Sequence, residues 1–296
     1  MQFTQLGKTG LTVSRIYLGC MSFGDPKWRA YIVDRTAAKP FFVKALEADI
    51  NLFDTADMYS LGASEEVTGH WLRELGNRDE LVITSKVHFT MSSGPNMGGL
   101  SRKHIVHACD ASLRRLGIDT IDRYQIHRFG PRTPIDETLA ALDMLVQQGK
   151  VRYIGASAGY ASQFAKAQHA SDSNGWARFV SMQNHCNLIY REEEREMIPF
   201  CIDQGVAIIP FSPLARGVLA RAQLPWQKGA QQRVRSGSAS HRVNGVVARQ
   251  TRRHRTDCWR DKTGVLQVAI DALDVKLTAE EVKALEAPYR PHEVRM

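Results

Sequence analysis

Apolar positions along this chain follow two alternating rhythms. Short runs rich in branched and aromatic residues are separated by longer stretches in which apolar residues recur every three to four positions. Residues 16–19, 51–54, 81–86, 121–126, 151–157, 179–183 and 206–211 read as strands. Residues 41–48, 65–75, 103–116, 135–148, 161–169 and 192–204 read as helices. Before them, residues 3–6 and 11–14 flank the turn Gly7-Lys8-Thr9-Gly10 and read as a hairpin. Gly117, Gly149 and Gly205 stand where helices should end.

Strands alternating with helices of this length imply βαβ units and a parallel sheet. Seven such strands exceed the usual doubly wound core, and no G-x-G-x-x-G follows the first of them. The count fits an α/β (β/α)8 TIM barrel with an N-terminal β-hairpin. In that architecture Asp54, Lys86, His127, Ser157, Gln183 and Phe211 fall at or just beyond the C-terminal ends of strands. Those ends converge on one mouth, where the active sites of barrels lie.

Composition narrows the picture. The 296 residues are 43% hydrophobic, enough for a substantial core, and hold no apolar run long enough to span a membrane. Met1-Gln2-Phe3-Thr4-Gln5-Leu6 does not resemble a secretory signal, so a cytoplasmic location is expected. Five irregularly spaced cysteines fit reduced thiols better than a disulfide framework, and none shares metal-ligand spacing with histidine. The net charge of +8 is unevenly placed. Residues 216–264 hold ten Arg and two Lys against Asp257 and Asp261, a net +10, which leaves −2 elsewhere. The run Arg252-Arg253-His254-Arg255 has no aromatic residues interleaved for base stacking, so a solvated basic loop is expected rather than a nucleic-acid site.

Candidate chemistry centres on Phe53-Asp54-Thr55-Ala56-Asp57-Met58-Tyr59. A carboxylate at a strand tip and a phenol five residues later can join Lys86 and His127 at neighbouring strand ends. A buried ammonium near the phenol would favour its ionisation, making Tyr59 a plausible general acid toward a carbonyl oxygen. His127 could donate to that same oxygen. Each residue alone has a structural reading: an ion pair, a packing tyrosine, a satisfied histidine. Four together at successive strand ends favour chemistry. Ser157 and Gln183 could contact a ligand or cap strands. Phe211 could stack on a flat ring or fill the core, and Ala215-Arg216-Gly217 could cradle phosphate oxygens.

The same stretches resemble the aldo-keto reductases, especially the bacterial branch related to potassium-channel β subunits. Besides the Phe53–Tyr59 segment, the resemblance rests on Gly62-Ala63-Ser64-Glu65, Ile83-Thr84-Ser85-Lys86, Tyr124-Gln125-Ile126-His127-Arg128, residues 149–157 and residues 211–217. It covers roughly residues 1–219 and again 266–291. It implies a single barrel domain that binds NADPH and reduces an aldehyde or ketone to an alcohol. By resemblance, Tyr59 is the general acid, His127 orients the carbonyl, and Lys86 with Asp54 tunes the tyrosine. Ser157, Gln183 and Asn184 would hold the nicotinamide carboxamide, with Phe211 beside the ring. Ser212, Leu214 and Gly217 would line the pyrophosphate path. The implied partner is a small carbonyl compound, with no metal and no membrane. A non-catalytic binding protein built on the same barrel is the alternative.

Several positions depart from the family pattern. Asp49 replaces a turn glycine, Arg123 replaces an apolar strand residue, Gly130 stands where Asp is usual, and Cys186 where Tyr is usual. A cation at position 123 must find a partner or carry a large desolvation cost. Residues 221–263 show neither helical nor strand period nor the segment that holds the cofactor's 2′-phosphate. The eighth βα unit is therefore expected to be incomplete or replaced, with this block foreign to the fold and loop-like or disordered. Residues 90–100, with four glycines and prolines among them, are expected to form a flexible loop over the pocket.

Overall fold

The computed structural model describes residues 1–215, 219, 246–248 and 262–291. It opens on the expected hairpin, β1 (Phe3–Gln5) and β2 (Thr12–Ser14). Seven parallel strands follow in sequential order: β3 (Ile16–Gly19), β4 (Leu52–Asp54), β5 (Val82–Val87), β6 (Ile121–Ile126), β7 (Val151–Ser157), β8 (Phe179–Gln183) and β9 (Ala207–Ile208). An eighth, β10 (Val246–Ala248), pairs in parallel with β3 at the other edge of the sheet. Here the structure departs from the sequence expectation, because a strand lies inside the block that showed no strand period. Its three apolar residues are too few to register as alternation. The rest of residues 221–261 lies outside the described residues.

Helices cross between the strands: α1 (Arg35–Glu47), α2 (Ala63–Leu75), α3 (Arg102–Leu116), α4 (Ile135–Gln147), α5 (Ala161–Asn174) and α6 (Met197–Gln204). Two more, α7 (Lys262–Asp271) and α8 (Ala279–Glu286), follow β10. α8 starts with a capping box between Thr278 and Glu281. α1 begins six residues before its predicted start at residue 41. Asp34 caps the helix by accepting from the Ala37 amide at 2.8 Å, and the turn before Pro40 is helical. Gly117 and Gly205 end α3 and α6 in the left-handed conformation, as their positions predicted. The turn at Asp49 does need positive φ, and the aspartate adopts 56° there.

Side chains alternate along the strands, and on β6 this decides what the barrel interior contains. Arg123 and Gln125 point inward to Asp54, while Tyr124 and Ile126 join the main core outside the sheet. The foot of the sheet is plugged by a second apolar cluster in which hairpin residues Leu6 and Val13 meet Tyr17, Leu52, Val82, Ala207 and Ile209. Gly7 makes this closure possible. It sits at φ 62°, and a Cβ there would lie 2.5 Å from the carbonyl oxygen of Gly205. Among the described residues, this apolar packing fills the foot of the sheet, opposite the strands' C-terminal ends.

Candidate active site

At those C-terminal ends lies a cleft of about 670 Å³, walled by residues from the βα loops. Asp54, Tyr59, His127, Ser157, Gln183 and Phe211 all line it, so the strand-end positions picked out in the sequence converge. Lys86 lies just beneath, fully buried. Its ammonium donates to Asp54 Oδ2 at 2.7 Å, to the Thr55 carbonyl at 2.7 Å, and toward the Tyr59 hydroxyl at 3.4 Å. All three directions of the ammonium are thereby used, and the one toward Tyr59 is the longest.

Asp54 is the hub. Besides Lys86, its Oδ1 accepts from Thr84 Oγ1 at 2.7 Å, Gln125 Nε2 at 3.1 Å and Arg123 Nη2 at 3.3 Å. Its Oδ2 accepts a further bond from Gln183 Nε2 at 3.1 Å. Burial alone would push this carboxyl up. The charges of Lys86 and Arg123, with the bonds from Lys86 and Thr84, outweigh that and hold it down at about 2. Arg123 thus finds the partner its position demanded. The sequence reading missed this bond, and missed Thr84, Gln125 and Tyr17 as members of the cluster. A signal existed: Arg123, Gln125 and His127 share one face of a strand at a spacing of two.

Tyr59 is held by local strain. The three residues that follow it, Ser60, Leu61 and Gly62, have φ of 54°, 51° and 97°. Two non-glycine residues in the left-handed region are costly and persist only where the surroundings impose them. Here the loop after β3 does so: Ser60 Oγ accepts from the Asp25 amide at 2.9 Å, and Gly24 approaches Ser60 so closely that a Cβ would sit 2.5 Å from the serine's own. The turn leads directly into α2 and directs the tyrosine ring into the cleft. There it meets the edge of His127 at 5.5 Å between centroids. His127 in turn lies edge-on to Phe89 at 4.9 Å. Burial, then the positive charge of Lys86, holds the His127 imidazole well below its ordinary pKa, so the ring is neutral at physiological pH.

Across the cleft, Ser157 Oγ donates to the Gln183 carbonyl at 2.8 Å, and Gln183 also reaches the Tyr17 hydroxyl at 3.4 Å. Phe211 stacks on His185 at 5.1 Å, and His185 stacks on Tyr190 at 4.4 Å. Asn184 does not line the cleft. Its amide donates to Glu193 Oε2 at 2.7 Å, while its Oδ1 is buried without a hydrogen-bond partner. Ser212 adopts φ 57° and its carbonyl accepts from Asn187 at 3.0 Å. Leu214 lies in the same turn, and Gly217 lies outside the described residues. Residues 90–100, expected to cover the pocket, contribute no side chain to its lining; only the neighbouring Phe89 does.

A closed-foot barrel with an Asp–Lys–Tyr–His cluster at its mouth defines a class of carbonyl-handling oxidoreductase, and the comparison with known proteins agrees. Residues 15–260 match the Aldo/keto reductase family, and the chain belongs to it. The chain is 40% identical to the versiconal hemiacetal acetate reductase of Aspergillus parasiticus, over 98% of each protein. It is 37% identical to the aldo-keto reductase AFTS1 of Alternaria alternata, over 99% of this chain and 93% of the relative. An aldo-keto reductase of Fusarium vanettenii is 42% identical over 83% of this chain and 71% of the relative. The first of these alignments is 341 positions long, whereas 98% of 296 residues is about 290, so roughly fifty positions fall opposite gaps in this chain. The family match runs to residue 260, through most of the arginine-rich block and across β10. Among the described residues no group of side chains could hold a metal ion, and no helix is long and apolar enough to cross a membrane.

Proposed function

We propose that this chain reduces an aldehyde or ketone to an alcohol with NADPH as hydride donor, Tyr59 supplying the proton. The observation that carries the reading is the buried Lys86 ammonium, set between the Asp54 carboxylate and the Tyr59 hydroxyl. When bound, the nicotinamide supplies a hydride, the two electrons and one hydrogen that the carbonyl carbon gains. The chain's own residues then supply the complement. The Tyr59 hydroxyl gives its proton to the carbonyl oxygen and recovers it from solvent. Lys86 stabilises the phenolate left behind, and Asp54 keeps Lys86 in place. A neutral His127 donates one hydrogen bond to the carbonyl oxygen without competing for the proton.

The residues present fit the nicotinamide end of the cofactor. Ser157 and Gln183 line the cleft, Asn184 Oδ1 is a buried acceptor without a partner, and the Phe211–His185 stack presents a flat aromatic wall. Ser212, Leu214 and Gly217 are the proposed pyrophosphate residues. The more specific likeness to the bacterial branch related to channel β subunits rests on motifs alone. A cytoplasmic location is supported by four buried free thiols, Cys20, Cys109, Cys186 and Cys201.

Trp28, Met58, Phe89 and Tyr190 give the cleft apolar, mainly aromatic walls, so the substrate is proposed to be a small aromatic carbonyl compound. The Aspergillus relative, named for reducing a hemiacetal, supports a carbonyl that need not be a simple aldehyde. Titration of the chain with NADPH and NADH, read by fluorescence, tests cofactor binding. Absorbance loss at the nicotinamide band with benzaldehyde tests turnover. NADPH is expected to bind and be consumed; no quenching with either cofactor would overturn the proposal.

A further inference from the structure

We infer that Arg123 is a positioning residue for carbonyl reduction: it shares Asp54 with Lys86 and leaves the cluster beneath the substrate carbonyl with a net positive charge. The inference rests on the reductase reading above. Two observations carry it. The guanidinium is fully buried and its Nη2 donates to Asp54 Oδ1 at 3.3 Å, on the opposite carboxylate oxygen from Lys86. Its Nε and Nη1 are buried with no hydrogen-bond partner.

A guanidinium with two unmatched N–H groups is expensive to bury, and a purely structural role does not explain it. Asp54 would keep Lys86, Thr84, Gln125 and Gln183 if Arg123 were absent. What Arg123 changes is the charge balance. One carboxylate between two cations is net positive, whereas one carboxylate with Lys86 alone is neutral. The charged or titratable groups coupled to Asp54, Asp57, Arg123 and His127 are Lys86 on β5, Tyr17 on β3, Cys20 just after β3, Glu65 on α2, Arg115 on α3, and His88 and Arg128 beyond the strand ends. Among the groups bonded to Asp54, Lys86 and Arg123 are the two basic side chains; burial lowers the Arg123 guanidinium and the Asp54 carboxylate opposes that shift. The extra charge lies beneath the cleft, linked to the Tyr59 hydroxyl through Asp54 and Lys86, and adds positive potential toward the carbonyl oxygen on which negative charge develops during hydride transfer. It therefore stabilises the transition state more than the neutral bound substrate.

Arg123→Leu tests this, with Arg123→Lys as the charge-conserving control. For the leucine variant, kcat for aldehyde reduction is expected to fall about tenfold, the size of one unit charge felt across the cluster at an effective dielectric of about 20 to 40. KM for the aldehyde should stay within about twofold, and the melting temperature should not fall. The lysine variant should recover most of kcat. In the ligand-free chain, the Asp54 carboxyl carbon followed by NMR should titrate at higher pH in Arg123→Leu than in the wild type. An unchanged kcat and an unchanged Asp54 titration would overturn the inference while leaving the reductase reading intact. A large drop in melting temperature with kcat and KM otherwise unaltered would assign Arg123 a structural role instead. A wild-type chain that binds NADPH yet reduces no carbonyl would overturn the reductase reading, and this inference with it.

Discussion

Asp54→Asn removes the hub of the buried cluster while keeping its shape. In the folded chain the carboxyl is held down at about 2, against 3.8 when unperturbed. That downward shift favours the ionised form in the fold by on the order of 2 kcal/mol. Because the folded value is the lower one, the contribution is present above pH 3.8 and is lost as pH falls toward 2. Asparagine cannot supply it at any pH. It also leaves Lys86 and Arg123 facing each other without a counter-charge, so the expected cost at pH 7 is about 2 to 4 kcal/mol. Urea unfolding followed by tryptophan fluorescence, run on both proteins from pH 7 to pH 3, measures it. The gap between them should be widest at neutral pH and narrow below pH 4. A cost under about 1 kcal/mol, or a gap that does not change with pH, would refute the reasoning.

Asp57 should behave in the opposite sense. Burial, then the neighbouring Glu65 carboxylate, pushes it up to about 8, so its contribution is complete below pH 3.8 and is lost as pH rises through 8. Asp57→Asn should therefore flatten the stability profile between pH 4 and 8, and an unchanged profile would contradict the assignment. Leu61 is 58% exposed at φ 51°. Leu61→Gly is expected to raise stability by up to about 1 kcal/mol and Leu61→Val to lower it by a similar amount; a loss with glycine would show that no strain is stored there. The thiols of Cys20, Cys109, Cys186 and Cys201, pushed up to about 12 by burial, should resist alkylation at pH 8 until urea unfolds the chain. Mass spectrometry of the folded protein after iodoacetamide would reveal any that react.

Much of this architecture could be read from periodicity because parallel strands buried on both faces carry near-continuous apolar runs. β6 and β7 match their predicted bounds residue for residue. The convergence of Asp54, His127, Ser157 and Gln183 followed from strand ends alone. The rest depended on contacts distant in sequence. That Asp54 gathers five side-chain donors from three strands is a property of the barrel's interior, and only the alternation Arg123, Gln125, His127 hinted at it. The left-handed turn at Ser60 and Leu61 has no sequence mark, because neither residue favours that conformation; the loop at Gly24 and Asp25 imposes it. Asn184 follows Gln183 in sequence, so resemblance placed both at the nicotinamide. The structure turns the Asn184 amide nitrogen toward Glu193 and leaves its Oδ1 without a hydrogen-bond partner, an arrangement the sequence does not mark. β10 escaped notice because Val246-Val247-Ala248 is a short apolar run inside an arginine-rich stretch.

The proton donor is the account's central claim, and Tyr59→Phe tests it most directly. The substitution removes one hydroxyl and leaves the ring against His127. Single-turnover oxidation of bound NADPH by benzaldehyde, with cofactor affinity measured in parallel by fluorescence, separates chemistry from binding. The account predicts unchanged NADPH affinity and a loss of hydride transfer of about 10² to 10⁴-fold, the range supplied by a positioned general acid. Retention of the wild-type rate within about threefold would contradict it, and would point to a barrel that binds its cofactor without using Tyr59 for catalysis.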